Sequence, residues 1–212
     1  MASVKGRGVV IAENAFGDSD RRVTALIKDY GKLTASAKGA RKAGSKFLAG
    51  TQLFTYADFV FYDGGTFYSI SSVDIIQNFH DLRNDYDCFC MASYFAEIAG
   101  AFTVSDEPAN DILALTLIAF ARLSKLGAPS VQERAVFELK LLQFAGLSPE
   151  WPVSQEAFAP RSVRDAILRA LSGSSKDAFD LNMSRETAGG IMRFTERLIK
   201  RNVPYIKSLK FL

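Results

Sequence analysis

Histidine occurs once in this chain, at His80, where strand-like sequence gives way to helix-like sequence, and no Ser-His-Asp or Cys-His set gathers around it. It reads as a structural residue, and the chain as a protein without a catalytic centre. Cysteine occurs twice. Cys88 and Cys90 are too close in sequence for an unstrained disulfide, and with His80 they offer at most three soft ligands where a tetrahedral metal site needs four. On a helix the two thiols face different directions, as buried structural cysteines do. No metal or other cofactor is expected. The longest apolar run, residues 112–121, is too short for a bilayer and is bounded by Asp111 and Arg122. The first residues read as a strand, not as a leader. These scarcities together suit a reducing cytoplasm.

An excess of charge of either sign is also missing, since 26 basic and 23 acidic residues leave a net charge of +3. The distribution is uneven, however. Residues 1–50 carry net +6, residues 51–90 net −5, residues 91–188 net −3 and residues 189–212 net +5. From Gly31 to Gly50 there are five basic residues (Lys32, Lys38, Arg41, Lys42, Lys46) and no acid, separated by Gly, Ala and Ser that let a polyanion approach closely. Most charge runs are solvated loops. Here the lack of any acid and the position between strands favour phosphate binding, with Phe47, Phe54 or Tyr56 available to stack bases. The spacing Gly39 to Gly44 imitates a phosphate-binding loop but continues Ser45-Lys46, with no strand-to-helix context, and is set aside. Asp18 and Asp20 read as acceptors for turn amides. The C-terminal cations, among them Lys200, Arg201, Lys207 and Lys210, would extend the basic surface if the two ends of the chain meet.

The periodicity predicts an α+β protein: an N-terminal five-stranded barrel over residues 1–80, then an all-helical domain over residues 81–212. Strands are expected at 4–14, 22–27, 32–37, 52–62 and 66–73, with Asp63-Gly64-Gly65 as a tight turn. Five short strands with one long basic connection suit an OB-fold. Helices are expected over 90–102, over 111–126 as the buried central helix, from a Ser130–Glu133 capping box to Phe144, over 162–171, and from a Ser184 cap to Asn202. Residues 173–175 read as a flexible break.

The stretches GVVIAENAFGDSDRRVTALIKDYGKLTASAKGARK, QLFTYADFVFYDGGTFYSISSVDIIQNF, LRNDYD and ASYFAEI, with the closing KSLKFL, resemble the bacterial RecO recombination-repair mediators, specifically through about residue 103 and again at the end. The resemblance implies an OB-fold followed by a helical domain, binding to single- and double-stranded DNA, strand annealing, pairing with RecR, and help for RecA in replacing the single-stranded-DNA-binding protein SSB. It implies a cytoplasmic, nucleoid-associated protein. It places the family's DNA-binding pattern on Arg21, Arg22, Lys32, Lys38, Arg41 and Lys42, with Lys46 just beyond. Many members carry a four-cysteine zinc motif after the central helices; residues 147–161 hold no cysteine, so zinc is not expected. Some relatives take the acidic, Phe-ended SSB tail in an apolar groove edged by Arg. Here that groove would fall on Arg134, Phe137 and Leu141, which the helical pattern by itself reads as core. Read without the resemblance, the barrel also suits an RNA-binding protein or a protein-interaction adaptor.

Overall fold

The computed structural model describes residues 3–147 and 160–212. Five strands come first: β1 (Ser3–Phe16), β2 (Asp20–Ile27), β3 (Gly31–Ala37), β4 (Tyr56–Asp63) and β5 (Tyr68–Gln77). They close into a barrel in the order β1-β2-β3-β5-β4, with β4 returning to β1. Every pairing is antiparallel except the short β3–β5 contact, which is parallel through Ala35–Tyr68 and Ser36–Ser69. This is the expected OB-fold. Alternate residues fill its interior, among them Val10, Val23, Ala25, Ile27, Leu33, Ala35, Phe59 and Phe61.

The helical part comprises α1 (Tyr86–Ala101), α2 (Asn110–Leu126), α3 (Val131–Phe144), α4 (Arg161–Ser172), α5 (Ser175–Phe179) and α6 (Arg185–Asn202), with single 3-10 turns at His80–Arg83 and Ser208–Phe211. Asp85 caps α1 by accepting the Cys88 N–H at 2.8 Å, which starts that helix before the expected residue 90. Ser130 caps α3 and Ser184 caps α6, as read from the sequence. The break expected at residues 173–175 separates α4 from α5 and is capped: Ser174 and Asp177 form a capping box that opens α5. The long apolar run of α2 suggests the central helix, but α2 exposes Asp111, Ala114, Ala121 and Lys125. The central helix is α3, buried without interruption from Glu133 to Leu142. Of the segment that replaces the zinc motif, residues 148–159, including Trp151, lie outside the described residues.

Barrel and helices share one core. Val9, Ile11, Leu26 and Phe54 belong to the same apolar cluster as the inward faces of α1, α2, α3, α4 and α6. Leu26 lies between two interior residues, Ala25 and Ile27, yet is itself buried because the helices cover the outer side of β2 there. The fit is close at Gly31, whose φ is 73° and where a Cβ would come within 2.0 Å of the Glu107 carbonyl oxygen. Cys88 and Cys90 are buried and free. Burial pushes the Cys88 thiol up to about 11, which makes it inert at neutral pH. His80 is exposed, its Nε2 lying 3.0 Å from Asp81. Among the described residues no group of three His, Cys, Asp or Glu is placed to hold a metal, and no helix is long and apolar enough to cross a membrane.

Candidate nucleic-acid interface

The outer surface of β2 and β3 divides into two halves. In the half beneath the helices, Lys32 stands opposite Leu26, and its ammonium donates to the Gly100 carbonyl at 2.8 Å. Lys32 therefore closes the seam between barrel and α1 and is only partly exposed, which sets it apart from the exposed cations of the basic pattern. The physical reason is that α1 ends over β3, and its last carbonyls need donors. In the open half, Arg22 stands opposite Ser36, and the hydroxyls of the facing pair Thr24 and Thr34 are 3.0 Å apart. The Arg22 guanidinium sits 4.6 Å above the Phe16 ring, which is 46% exposed.

The basic connection from β3 to β4 is folded, not loose. Successive turns carry the chain, with N–H groups of Ala40, Lys42, Ser45 and Leu48 donating to carbonyls three residues back. Two bonds fasten it to the β1–β2 turn: the Arg41 N–H donates to the Ser19 carbonyl at 2.9 Å, and the Gly39 N–H to Asp20 Oδ1 at 2.7 Å. Ala40 is fully buried beneath it. Lys38, Arg41, Lys42 and Lys46 are all exposed, and none takes part in an ion pair among the described residues. Lys46 leans over the Phe47 ring at 5.0 Å.

Arg21 has a different job from its neighbour Arg22. It pairs with Glu13 at 3.0 Å and donates to the Leu48 carbonyl and Thr51 Oγ1 at 3.2 and 2.9 Å, so it clamps the far end of the connection to the barrel. Its charge is already neutralised, and its side chain is 13% exposed. Of the proposed stacking aromatics, Phe54 is fully buried, edge-on to Phe120 at 5.0 Å, and cannot reach a base. Barrel rings that do meet solvent include Phe16 at the end of β1 and Phe67, 74% exposed, in the β4–β5 turn. Single aromatics at a strand end or turn carry no periodic signal, which is why the pattern missed them.

At the other end of the chain, Lys200 pairs with Glu196 at 2.5 Å, whereas Arg201 is exposed and in no ion pair among the described residues. Lys207 and Lys210 ride on the C-terminal turn, which is tied to α1 by Glu97. That carboxylate accepts the N–H groups of Lys207 and Ser208, each at 2.8 Å, and the Ser208 hydroxyl at 2.6 Å. The turn and β1 both line one cavity, β1 through Glu13 and Asn14 and the turn through Lys207 and Ser208.

Of the residues assigned to a partner groove, Phe137 and Leu141 are not at a surface, and Arg134 reaches one only as part of the lining of a cavity shared with Val131, Met192 and Phe211. Phe137 and Leu141 are 0% exposed, and Phe137 stacks on Phe95 with centroids 4.0 Å apart. Arg134 is buried as well. Its Nε donates to Glu138 at 2.7 Å and its Nη2 to Glu196 at 3.2 Å, and it lies 5.0 Å over the Tyr94 ring. Glu138 in turn accepts from the Tyr94 hydroxyl at 2.6 Å and from Thr195 at 2.5 Å. Burial pushes the Glu138 carboxyl up, against the pull of Arg134 and these hydrogen bonds. This network joins α1, α3 and α6 and belongs to the core. Phe137 and Leu141 are corrected accordingly: a tail seated on them would have to displace the centre of the helical part.

A family model described as Recombination protein O N terminal matches residues 1–79, and one described as Recombination protein O C terminal matches residues 83–155. The DNA repair protein RecO of Acetivibrio thermocellus is 38% identical over 149 residues, covering 70% of this chain and 59% of the relative. That of Caldicellulosiruptor saccharolyticus is 32% identical over 151 residues, 71% of this chain and 62% of the relative. That of Heliobacterium modesticaldum is 30% identical over 166 residues, 78% of this chain and 60% of the relative. The matched part thus spans about three fifths of the length of these curated relatives. With an OB-fold under the first family model and helices under the second, the chain belongs to the RecO family.

Proposed function

We propose that the chain is a DNA repair and recombination mediator that binds single- and double-stranded DNA and anneals complementary strands without catalysing a covalent step. In this reading it pairs with RecR and helps to load RecA onto DNA coated with SSB, the role that the family resemblance implies. The observation that carries the DNA part is the set of Lys38, Arg41, Lys42 and Lys46, exposed and free of ion pairs among the described residues, on backbone fastened to the barrel. Arg22 on Phe16 continues the surface onto the open half of β2 and β3.

Each cation that meets a phosphate releases a condensed counterion, so affinity is gained without reading sequence. Two strands held against one basic surface repel each other less and pair faster. Arg201, Lys207 and Lys210 would add to that surface, whereas Lys200, Arg21 and Lys32 have partners of their own. The test is annealing of complementary oligonucleotides, bare and SSB-coated, across a salt series. Salt-sensitive acceleration is expected. No retention of any oligonucleotide in dilute buffer would remove the proposal.

A further inference from the structure

We infer that the groove between the barrel and α1 is a stacking site for an unpaired base of single-stranded DNA. This rests on the DNA-binding reading above and assigns it a second, apolar element. The groove is a cavity of about 470 Å³, within the range of ordinary ligand pockets. In its wall β1 carries a bulge between Val10 and Ala12, and Ile11 there lies against Gly100 of α1; a Cβ on that glycine would come within 2.6 Å of the Ile11 side chain.

Three aromatic rings from two separate elements converge on it. Tyr86 and Phe89 stand on the face of α1 that also carries Ser93, at spacings of three and seven residues, and Phe211 comes from the C-terminal turn. Tyr86 is 66% and Phe211 52% exposed, an unusual display for rings already next to an apolar wall. The side chains of Asn14 and Ser93 also line the cavity and make no hydrogen bond among the described residues, so an amide and a hydroxyl remain for the edge of a base. Glu97 is engaged by the Lys207–Ser208 backbone, and Glu13 is balanced in charge by Arg21 at 3.0 Å although its buried Oε2 makes no hydrogen bond among the described residues, while Lys207 supplies a cation at the rim.

Rings for stacking, unused polar groups for an edge and a rim cation for a phosphate match a nucleotide better than an apolar peptide. Continuity supports the same occupant: Arg21, which holds Glu13 in the wall, also bonds the backbone of the basic connection at Leu48. A strand leaving that connection would therefore find the groove next. Bases in a duplex are stacked on each other and cannot enter it.

The experiment uses the whole chain with Tyr86→Ala, Phe211→Ala and Tyr86→Phe, titrated against a thymidine oligonucleotide, a duplex of equal length and an abasic strand. Thermal unfolding of each variant checks folding; both positions are more than half exposed. Tyr86→Ala and Phe211→Ala should each weaken single-strand binding by about 5- to 100-fold, the range of one lost stacking contact. The salt slope, duplex affinity and abasic-strand affinity should stay as in the unaltered chain, and Tyr86→Phe should bind normally. Single-strand affinity within twofold of the unaltered chain overturns the inference, and this is also the outcome if the groove serves a peptide. Equal losses on duplex or abasic strands overturn it too. In those cases salt-dependent binding by the unaltered chain leaves the DNA-binding reading standing, whereas absence of all oligonucleotide binding removes both.

Discussion

Two charged stretches of this protein look alike as sequence and could not be more different as structure. The connection from Lys38 to Lys46 sets four cations in solvent with no ion pair among the described residues. Helix α3 carries Glu133, Arg134, Glu138 and Lys140, all buried. Arg134 and Glu138 bond each other, and Lys140 donates to Gln143 and to the Gly173 carbonyl at 2.7 and 3.0 Å. Charge therefore serves opposite ends in the two places. In the connection its electrostatic work is left undone until a polyanion arrives; in α3 it is completed inside the fold, where an unmatched group would be costly.

The comparison can be broken most forcefully at its buried end. Arg134→Ala leaves Glu138 without its cation and should cost about 3–5 kcal/mol of stability, seen as a lower urea midpoint with an unchanged slope. A loss below about 1 kcal/mol, the range of exposed ion pairs, would erase the distinction. Next in size is the triple change Lys38→Ala, Arg41→Ala, Lys42→Ala. It should lower the single-strand salt slope by about 2, at roughly 0.7 per phosphate contact, and slow annealing. Stability should move by no more than about 0.5 kcal/mol per site. An unchanged slope would mean that these cations meet no DNA.

A third test concerns Glu97. Burial alone would push its carboxyl up, but hydrogen bonds from the Ser208 hydroxyl and from the Lys207 and Ser208 N–H groups outweigh it and hold the group below the ordinary carboxylate value. A depressed pKa stabilises the fold above the unfolded-state value, and that stabilisation disappears as pH falls through the folded one. Protection of the Lys207 and Ser208 amides from hydrogen exchange should thus fall in acid, below the ordinary carboxylate range. With Glu97→Gln the acid dependence should vanish; if it persists, another group anchors the turn. The smallest expected effect is at Lys32. Lys32→Gln should leave the salt slope where it was, because that ammonium already faces the Gly100 carbonyl. A slope reduced by a full contact would return Lys32 to the DNA surface.

The barrel was legible because its information is local. Alternation over β1 to β5 and the Asp63-Gly64-Gly65 turn, where the Gly65 N–H donates to Asp63 at 2.8 Å, need only neighbours in sequence. The basic connection was visible for the same reason, although the bonds that fasten it to Ser19 and Asp20 were not. The central position of α3, in place of α2, was hidden. Its charges imitate a solvated face, and the groups that satisfy Glu138 come from Tyr94 and Thr195, 44 and 57 residues away. Only the Arg134–Glu138 spacing of four hinted at a pair. The partner of Lys32 was hidden likewise, since its acceptor lies 68 residues further on. The α2 run was overvalued because its small exposed residues, Ala114 and Ala121, count as apolar wherever they point.

The seam between barrel and helices has a consequence for how the molecule comes apart. Val9, Ile11, Leu26 and Phe54 are barrel residues by chain position, yet they are packed within the helical cluster. Cutting after residue 80 would strip their cover and leave an oily scar on the barrel, with Phe54 parted from Phe89 and Phe120. The two halves are therefore expected to melt in one transition, and the isolated barrel to self-associate rather than behave as a miniature of the parent.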